Sequence, residues 1–391
     1  MYMIDILAKL FLKDREKDSV KGREAYGVLC GMVGIILNVL LFAGKFLAGT
    51  ISRSIAITAD AFNNLSDAGS SLVTMVGFKL AGAKPDSKHP FGHGRLEYIS
   101  GLIVSAVILL MAFELLKSSV EKILHPQAVD FSLLSLGILA VSILVKLYMS
   151  FYNRRIGKQI RSAAMKATSL DSLSDAVATT VVLISSIAAK MTGVKIDGWC
   201  GVLVSIFIFY AGISAAKETL DPLLGQPPEP EFVDEIEALV MKHREIRGIH
   251  DLIVHDYGPG RVMVSLHAEV PAEGDILVLH DVIDNAEEEI RQQMKCEAVI
   301  HMDPIVTKDP QVLKLKHQVE GLIRGMDEEI SAHDFRVVIG PTHTNLIFDV
   351  VVPYKYTMSD EALEAEIQKR VTEQIGPEYT TVIKVDKSFL G

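Results

Sequence analysis

The sequence predicts a membrane α-helical domain of six transmembrane helices, followed by a cytoplasmic α+β domain that is present in two copies. Three observations carry that prediction. Mean hydropathy is +0.30 over 391 residues, a value that soluble globular chains seldom reach. The apolar excess is confined to residues 1–220, and the remainder reads as ordinary soluble sequence. Within that remainder an α-β-β-α-β pattern recurs. "HDLIVHDYGPGRVMVSLHAEVP" from His250 parallels "HDFRVVIGPTHTNLIFDVVVP" from His333, and "AVIHMD" parallels "TVIKVD".

Residues 1–25 read as an amphipathic lead-in on the cytoplasmic side. Their short apolar run is followed by charge, without the long apolar stretch and small-residue cleavage site of a signal peptide. A bilayer core about 30 Å thick needs roughly 20 mainly apolar helical residues to cross it. Six stretches in residues 26–220 qualify: Tyr26–Ser52, Ser54–Ala83, Leu96–Ile123, Phe131–Tyr152, Ala163–Met191 and Gly198–Leu220. Lys and Arg gather before the first stretch and in the connections around Lys84 to Arg95 and Arg154 to Arg161, whereas "GTISRS", "KILHPQAVD" and "KMTGVKID" carry few. That bias places both termini in the cytoplasm, with the chain in the inner or plasma membrane. The prolines of "DPLLGQPPEPEF" are expected to end the sixth helix and stiffen a linker. Residues 221–308 then form the first soluble module and residues 309–391 the second, divergent one.

Composition excludes several functions. A net charge of −10 gives no support to nucleic-acid binding, which needs a basic face. Cys30, Cys200 and Cys296 stand apart with no Cys-x-x-Cys pairing, so neither a disulfide framework nor a thiolate zinc cluster is expected, and each reads as a small buried apolar residue. No His-Glu-x-x-His occurs in any helix, which removes the commonest hydrolytic zinc motif, and no enzyme or catalytic cofactor is expected.

The informative residues are polar groups inside apolar helices. A carboxylate at mid-bilayer costs about 2.5 to 3.5 kcal/mol even on the mild insertion scale. The second stretch nevertheless carries Asp60, Asn63 and Asp67, and the fifth carries Asp171 and Asp175. Spacing of four puts Asn63 and Asp67 on one helical face and Asp171 and Asp175 on another. Facing each other, they offer three carboxylates and an amide carbonyl, an oxygen cage for a divalent cation. Asp60 reads either as a structural contact or as a ligand on the way in. Asn38, Glu114 and Lys146 occur singly and read as hydrogen-bonding or ion-pairing groups.

With "TADAFNNLSDAGSS", "HPFGHGRLEYISGLIVS" and "SLDSLSDA" in this order and spacing, the chain resembles the cation diffusion facilitators from about Gly31 to Pro304. The resemblance implies efflux of divalent metal through six helices, and a ferredoxin-like cytoplasmic domain that forms a homodimer. It places Asn63, Asp67, Asp171 and Asp175 in the transport site. Zinc-transporting members commonly have a histidine in this quartet. Its absence, with Asn-x-x-x-Asp, resembles the manganese-exporting branch. Oxygen donors also suit Mn2+ better than Zn2+, which favours nitrogen and sulfur, without excluding Zn2+, Fe2+ or Co2+. The implied cycle is antiport, in which protons from outside compete with metal for the carboxylates.

By the same resemblance Asp86, His89 and His93 form a loop site, although Pro90 makes regular helix there doubtful, and Arg95 pairs with Asp221. His250, His267, His280, His301 and Asp303 form a cytoplasmic metal site of regulatory character. In the second copy His267 becomes Asp349, His301 becomes Lys384 and His280 falls near Leu363, while His333 and Asp386 keep their type. That copy reads as having lost the site. A cation channel and a membrane-tethered metal sensor are the readings from other classes.

Overall fold

A computed structural model describes residues 3–11, 19–52, 55–125, 133–192, 197–339 and 344–388. Two compact units result, Met1–Gln226 with Asp256–Arg261, and Pro227–His255 with Val262–Gly391. Parts of the connections "GTISRS", "KILHPQAVD" and "KMTGVKID", and residues 12–18 of the N-terminal lead-in, lie outside the described residues.

The first unit is helical. After α1 (Met3–Phe11) come α2 (Val20–Ser52), α3 (Ile55–Ala81), α4 (Leu96–Leu124), α5 (Leu133–Gln159), α6 (Ala163–Thr192) and α7 (Asp197–Leu224). Among the described residues, four segments are long and apolar enough to cross a membrane: Lys21–Ala48, Leu96–Leu124, Leu136–Gln159 and Gly198–Leu224. Helices α3 and α6 have the length to cross as well, 27 and 30 residues, and part of each lies outside the residues whose side chains are described.

Helix α2 approaches α3 along a stripe of glycines. A Cβ added at Gly27, Gly31 or Gly34 would stand 2.2 Å from Phe78, 2.6 Å from Met75 or 2.8 Å from Ser71, so only glycine permits this backbone separation. Leu29, Cys30 and Val33 on α2 then bury against Phe78, Met149, Tyr152 and Ile156. Cys296 is also buried, while Cys200 is only half-buried. The buried Arg23–Glu97 ion pair, at 3.0 Å, ties α2 to α4.

The prolines do not end α7. Pro222 lies inside it, and the helix runs to Leu224, because a proline in the last turn forfeits little of the hydrogen-bond ladder. Gly225 ends it with φ +93°, a left-handed conformation that glycine adopts without strain. Pro230 then opens α8 (Pro230–Val240), where its missing N–H has no helical partner to lose.

The second unit repeats one arrangement. After α8 come β1 (Gly248–Asp256), β2 (Val262–Pro271), α9 (Ile276–Met294) and β3 (Glu297–Ile305). Then follow α10 (Pro310–Arg324), β4 (Ser331–Ile339), β5 (Thr344–Pro353), α11 (Asp360–Gln374) and β6 (Tyr379–Ser388). The sheets have the orders β1-β2-β3 and β4-β5-β6, with the last two strands parallel in each. Asp275, Asp309 and Ser359 cap α9, α10 and α11 by accepting from main-chain N–H groups. Alternation along the central strands buries Val264, Leu266 and Ala268 under α9, and Leu346, Phe348 and Val350 under α11. The same alternation turns His267 and Asp349 to the opposite faces of their sheets.

Candidate metal centres

Among the described residues, groups of metal-ligating side chains converge inside the helical unit, in its loop before α4, and in the second unit. Inside the helices, Asp67 of α3 and Asp171 and Asp175 of α6 each offer an oxygen within 4.8 Å of the others. Asp67 and Asp171 are buried. Polar pins hold the three helices around them. The Thr74 and Thr168 hydroxyls bond at 2.8 Å between α3 and α6, two turns and one turn from the carboxylates. On α5 and α6 the Ser150 and Ser169 hydroxyls lie 3.1 Å apart. Asp171 Oδ1 is buried without a hydrogen-bond partner, an acceptor with nothing to accept. Asn63 lies one turn before Asp67 on α3 and is exposed, whereas its neighbour Asn64 is buried. The side chain of Asp60 lies outside the described residues.

Sequence reasoning missed what Lys146 does. Its Nζ, buried on α5, donates to Asp67 Oδ2 at 2.6 Å and to Asp175 Oδ2 at 2.7 Å. The residue was legible as an ion-pairing group, but periodicity along α5 does not say which helix it meets. An ammonium thus stands among the carboxylates, where a metal ion would meet the same oxygens. Three carboxylates exceed the ammonium groups of Lys146 and of Lys45, a second buried lysine that acts on Asp67, so the cluster keeps an affinity for added positive charge.

In the loop, Asp86, His89 and His93 come together without regular helix. His89 Nδ1 and His93 Nε2 are 3.1 Å apart, and the Asp86 carboxylate lies 3.3 and 3.5 Å from them. Main-chain N–H groups of His89 and Lys88 donate to Asp86 and hold its carboxyl below the usual range. Arg95 does not pair with Asp221. Its guanidinium donates to the main-chain carbonyl of Asp256 at 2.8 and 3.1 Å, since Asp256–Arg261 belongs to the helical unit.

In the second unit His250, His267 and Asp303 form one convergent group. His267 Nδ1 and His250 Nε2 lie 2.8 and 3.2 Å from Asp303 Oδ2. His301 stands opposite His267 in the β2/β3 register, with its Nε2 3.3 Å from Asp303 Oδ1 at the exposed edge of the group. His280 is not part of it. It projects from the exposed face of α9 towards Asp284, at 3.3 Å.

In the divergent copy His333, Asp349 and Asp386 also bring possible ligand atoms within 4.8 Å of one another, and a carboxylate in the place of a histidine can still bind metal. Burial, and then the neighbouring His250, hold the His333 imidazole below its ordinary value. Burial raises Asp349. Lys384 is raised chiefly by its hydrogen bond to Asp386, at 3.0 Å.

Long apolar helices that bury a carboxylate cluster, with a ligand-rich α+β unit after them, define a membrane protein that handles cations. Comparison with known proteins makes the class specific. Residues 31–224 match the cation efflux transmembrane domain, and residues 228–305 match the cytoplasmic domain of cation efflux proteins. The chain belongs to this family, the cation diffusion facilitators, and is a multi-pass divalent-cation efflux transporter. An uncharacterized transporter of Methanocaldococcus jannaschii is 29% identical over 70% of this chain and 96% of its own length. The manganese efflux system protein MneS of Bacillus subtilis is 26% identical over 71% of this chain and 95% of its own. Metal tolerance protein C1 of Arabidopsis thaliana is 24% identical over 90% of this chain and 82% of its own.

Proposed function

We propose that the chain exports Mn2+ from the cytoplasm in exchange for protons, with Asn63, Asp67, Asp171 and Asp175 as the transport ligands. One observation carries this reading: carboxylates from α3 and α6 converge inside apolar helices, with Asn63 a turn away and no histidine in the quartet. An all-oxygen site suits a hard cation, and gives Zn2+ none of the nitrogen or sulfur it favours. The name of the Bacillus relative points the same way. Fe2+, Co2+ and Zn2+ efflux by the same mechanism are the other outcomes, since Mn2+ binds any given site least tightly of these ions.

In this reading all six helices α2–α7 cross the inner or plasma membrane, and both termini are cytoplasmic. Metal from the cytoplasm loses much of its water and displaces the Lys146 ammonium from Asp67 and Asp175. Rocking of the helices exposes the site outside, where protons replace the metal. The lead-in 1–25, transport domain 26–220, first module 221–308 and second module 309–391 divide the chain, each module being ferredoxin-like and the cytoplasmic part forming a homodimer. Asp86, His89 and His93 bind metal on the loop. His250, His267, His301 and Asp303 bind metal as a sensor, which stabilises one transporter conformation over another.

Metal-driven proton movement in proteoliposomes tests this. Mn2+ is expected to drive a larger signal than Zn2+, and Asp175→Ala to lose about 100-fold or more, as for a lost metal contact. Equal signals from wild type and Asp175→Ala remove the transport site. Flux without saturation or proton coupling indicates a channel, and metal binding without uptake a tethered sensor. In the same vesicles, replacing His267 and His301 with Ala is expected to weaken activation at low metal and leave transport at saturating metal. Unchanged metal dependence removes the sensor.

A further inference from the structure

The two modules of the second unit meet through equivalent residues. His250 is the third residue of β1 and His333 the third of β4, and their rings pack at a 33° tilt with centroids 4.2 Å apart. Each is followed by an aspartate in the left-handed region, Asp251 at φ 52° and Asp334 at φ 50°. Non-glycine residues seldom hold that conformation unless their surroundings impose it. Strand register completes the equivalence. His267 stands opposite His301 as Asp349 stands opposite Lys384, and Asp303 occupies the place of Asp386.

The ring of His250 is 5% exposed; its Nε2 faces Asp303 at 3.2 Å, and its Nδ1 lies 3.7 Å from Asp251 without a hydrogen bond. It points into a group with Asp251 and His333 whose ligand atoms lie within 4.8 Å of one another. Both nitrogens of His333 are likewise buried without hydrogen bonds. Around these rings Asp251, Asp349 and Asp386 surround one ammonium. Lys384 Nζ lies 3.0 Å from Asp386, 3.7 Å from Asp251 and 3.8 Å from Asp349. Buried imidazole nitrogens without hydrogen bonds, beside carboxylates in excess of Lys384, the one cation close to all three among the described residues, are the chemistry of a divalent-cation site.

We propose that the divergent module keeps a divalent-cation site made of His333, Asp349 and Asp386, reached across the seam by Asp251 of the first module, with Lys384 as its built-in competitor. The donors are one nitrogen and several carboxylate oxygens, so the site selects a harder cation of the Mn2+ class than does the pair of imidazoles in the first module. Binding moves the Lys384 ammonium off the carboxylates and joins the two modules through shared ligands. This goes beyond the transport reading, and its test does not depend on it.

The full-length chain, stripped with a chelator and reconstituted in lipid nanodiscs, is titrated with Mn2+ while bound ions per chain are counted. Replacing Asp349 and Asp386 together with Asn, which keeps their shape, is expected to remove one bound Mn2+ without altering uptake at saturating metal. His267→Ala is expected to leave that ion in place. Lys384→Met is expected to tighten it about tenfold, the lower end of what a neighbouring group contributes at metal sites. A double Asn variant that binds as many Mn2+ ions as the parent, with the parent's affinity, overturns the proposal. If that variant does not fold, unaltered Mn2+ affinity in Lys384→Met overturns it instead. Loss of uptake in the wild type would sink the transport reading and leave this count standing.

Discussion

At the scale of single residues, burial decides how the ligands respond to pH. The folded chain disfavours a proton on His333, because burial and then His250 lower its affinity for one. The unfolded chain takes that proton up near the ordinary histidine value of about 6.5. The contribution of His333 to stability is therefore complete above that pH and lost as the pH falls. In chelator-treated protein the unfolding temperature of the second unit is expected to drop between about pH 7.5 and pH 5.5, and His333→Gln to flatten the slope. Equal slopes by circular dichroism would exclude His333 as a source. Residues of this kind were half legible. Asn63, Asp67, Asp171 and Asp175 stood out because polar groups four apart, three of them carboxylates, have few innocent explanations in an apolar helix. Asp349 did not stand out, because comparing the copies by residue type treats His to Asp as a loss.

At the scale of elements, the lengths of the helices were legible and their neighbours were not. Apolar runs of the right length marked α2 to α7, whereas the end of α7 followed Gly225 rather than the prolines. The polar residues that single out α3 and α6 sit within helices of 27 and 30 residues. Their placement depends on α2, whose glycine stripe lets α3 come close. Gly31→Leu would drive side-chain carbon into Met75, where even a Cβ would stand at 2.6 Å. Overpacking of this sort costs about 1 to 3 kcal/mol. The variant is expected to show faster proteolysis of the helical unit and reduced uptake, with the Mn2+ count of the second unit unchanged. Proteolysis and uptake like those of the parent would mean that α2 and α3 do not need this separation.

At the scale of the whole molecule, one chain carries a carboxylate cluster inside its helices and a ligand-rich pair of modules beyond them. The organisation into an apolar half and a repeated soluble half was plain from hydropathy and from the paired "HDLIVHDYG" and "HDFRVVIGP" segments. How the repeats meet was not, because a seam between modules is set by surface chemistry that no periodicity reports. Both copies place a histidine third in their first strand, and only the fold shows that these two rings pack against each other.

Lys146 has an electrical consequence. Three aspartates with Lys146, the ammonium hydrogen-bonded among them, sum to two negative charges, and the buried Lys45 of α2 bears on Asp67 as well. One divalent ion offsets those two charges, and so do two protons, provided Lys146 keeps its charge. Both loaded forms then carry equal charge, while the empty form takes two more negative charges into a medium where each one costs several kcal/mol. Under the proposed antiport, exchange of one metal ion for two protons would move no net charge. Uptake in proteoliposomes is expected to be indifferent to an imposed membrane voltage, whereas Lys146→Met, needing a third positive charge, is expected to become voltage-sensitive, since one charge is worth about 2.3 kcal/mol per 100 mV. Voltage dependence that is the same in both proteins would show that this lysine does not set the charge of the moving states.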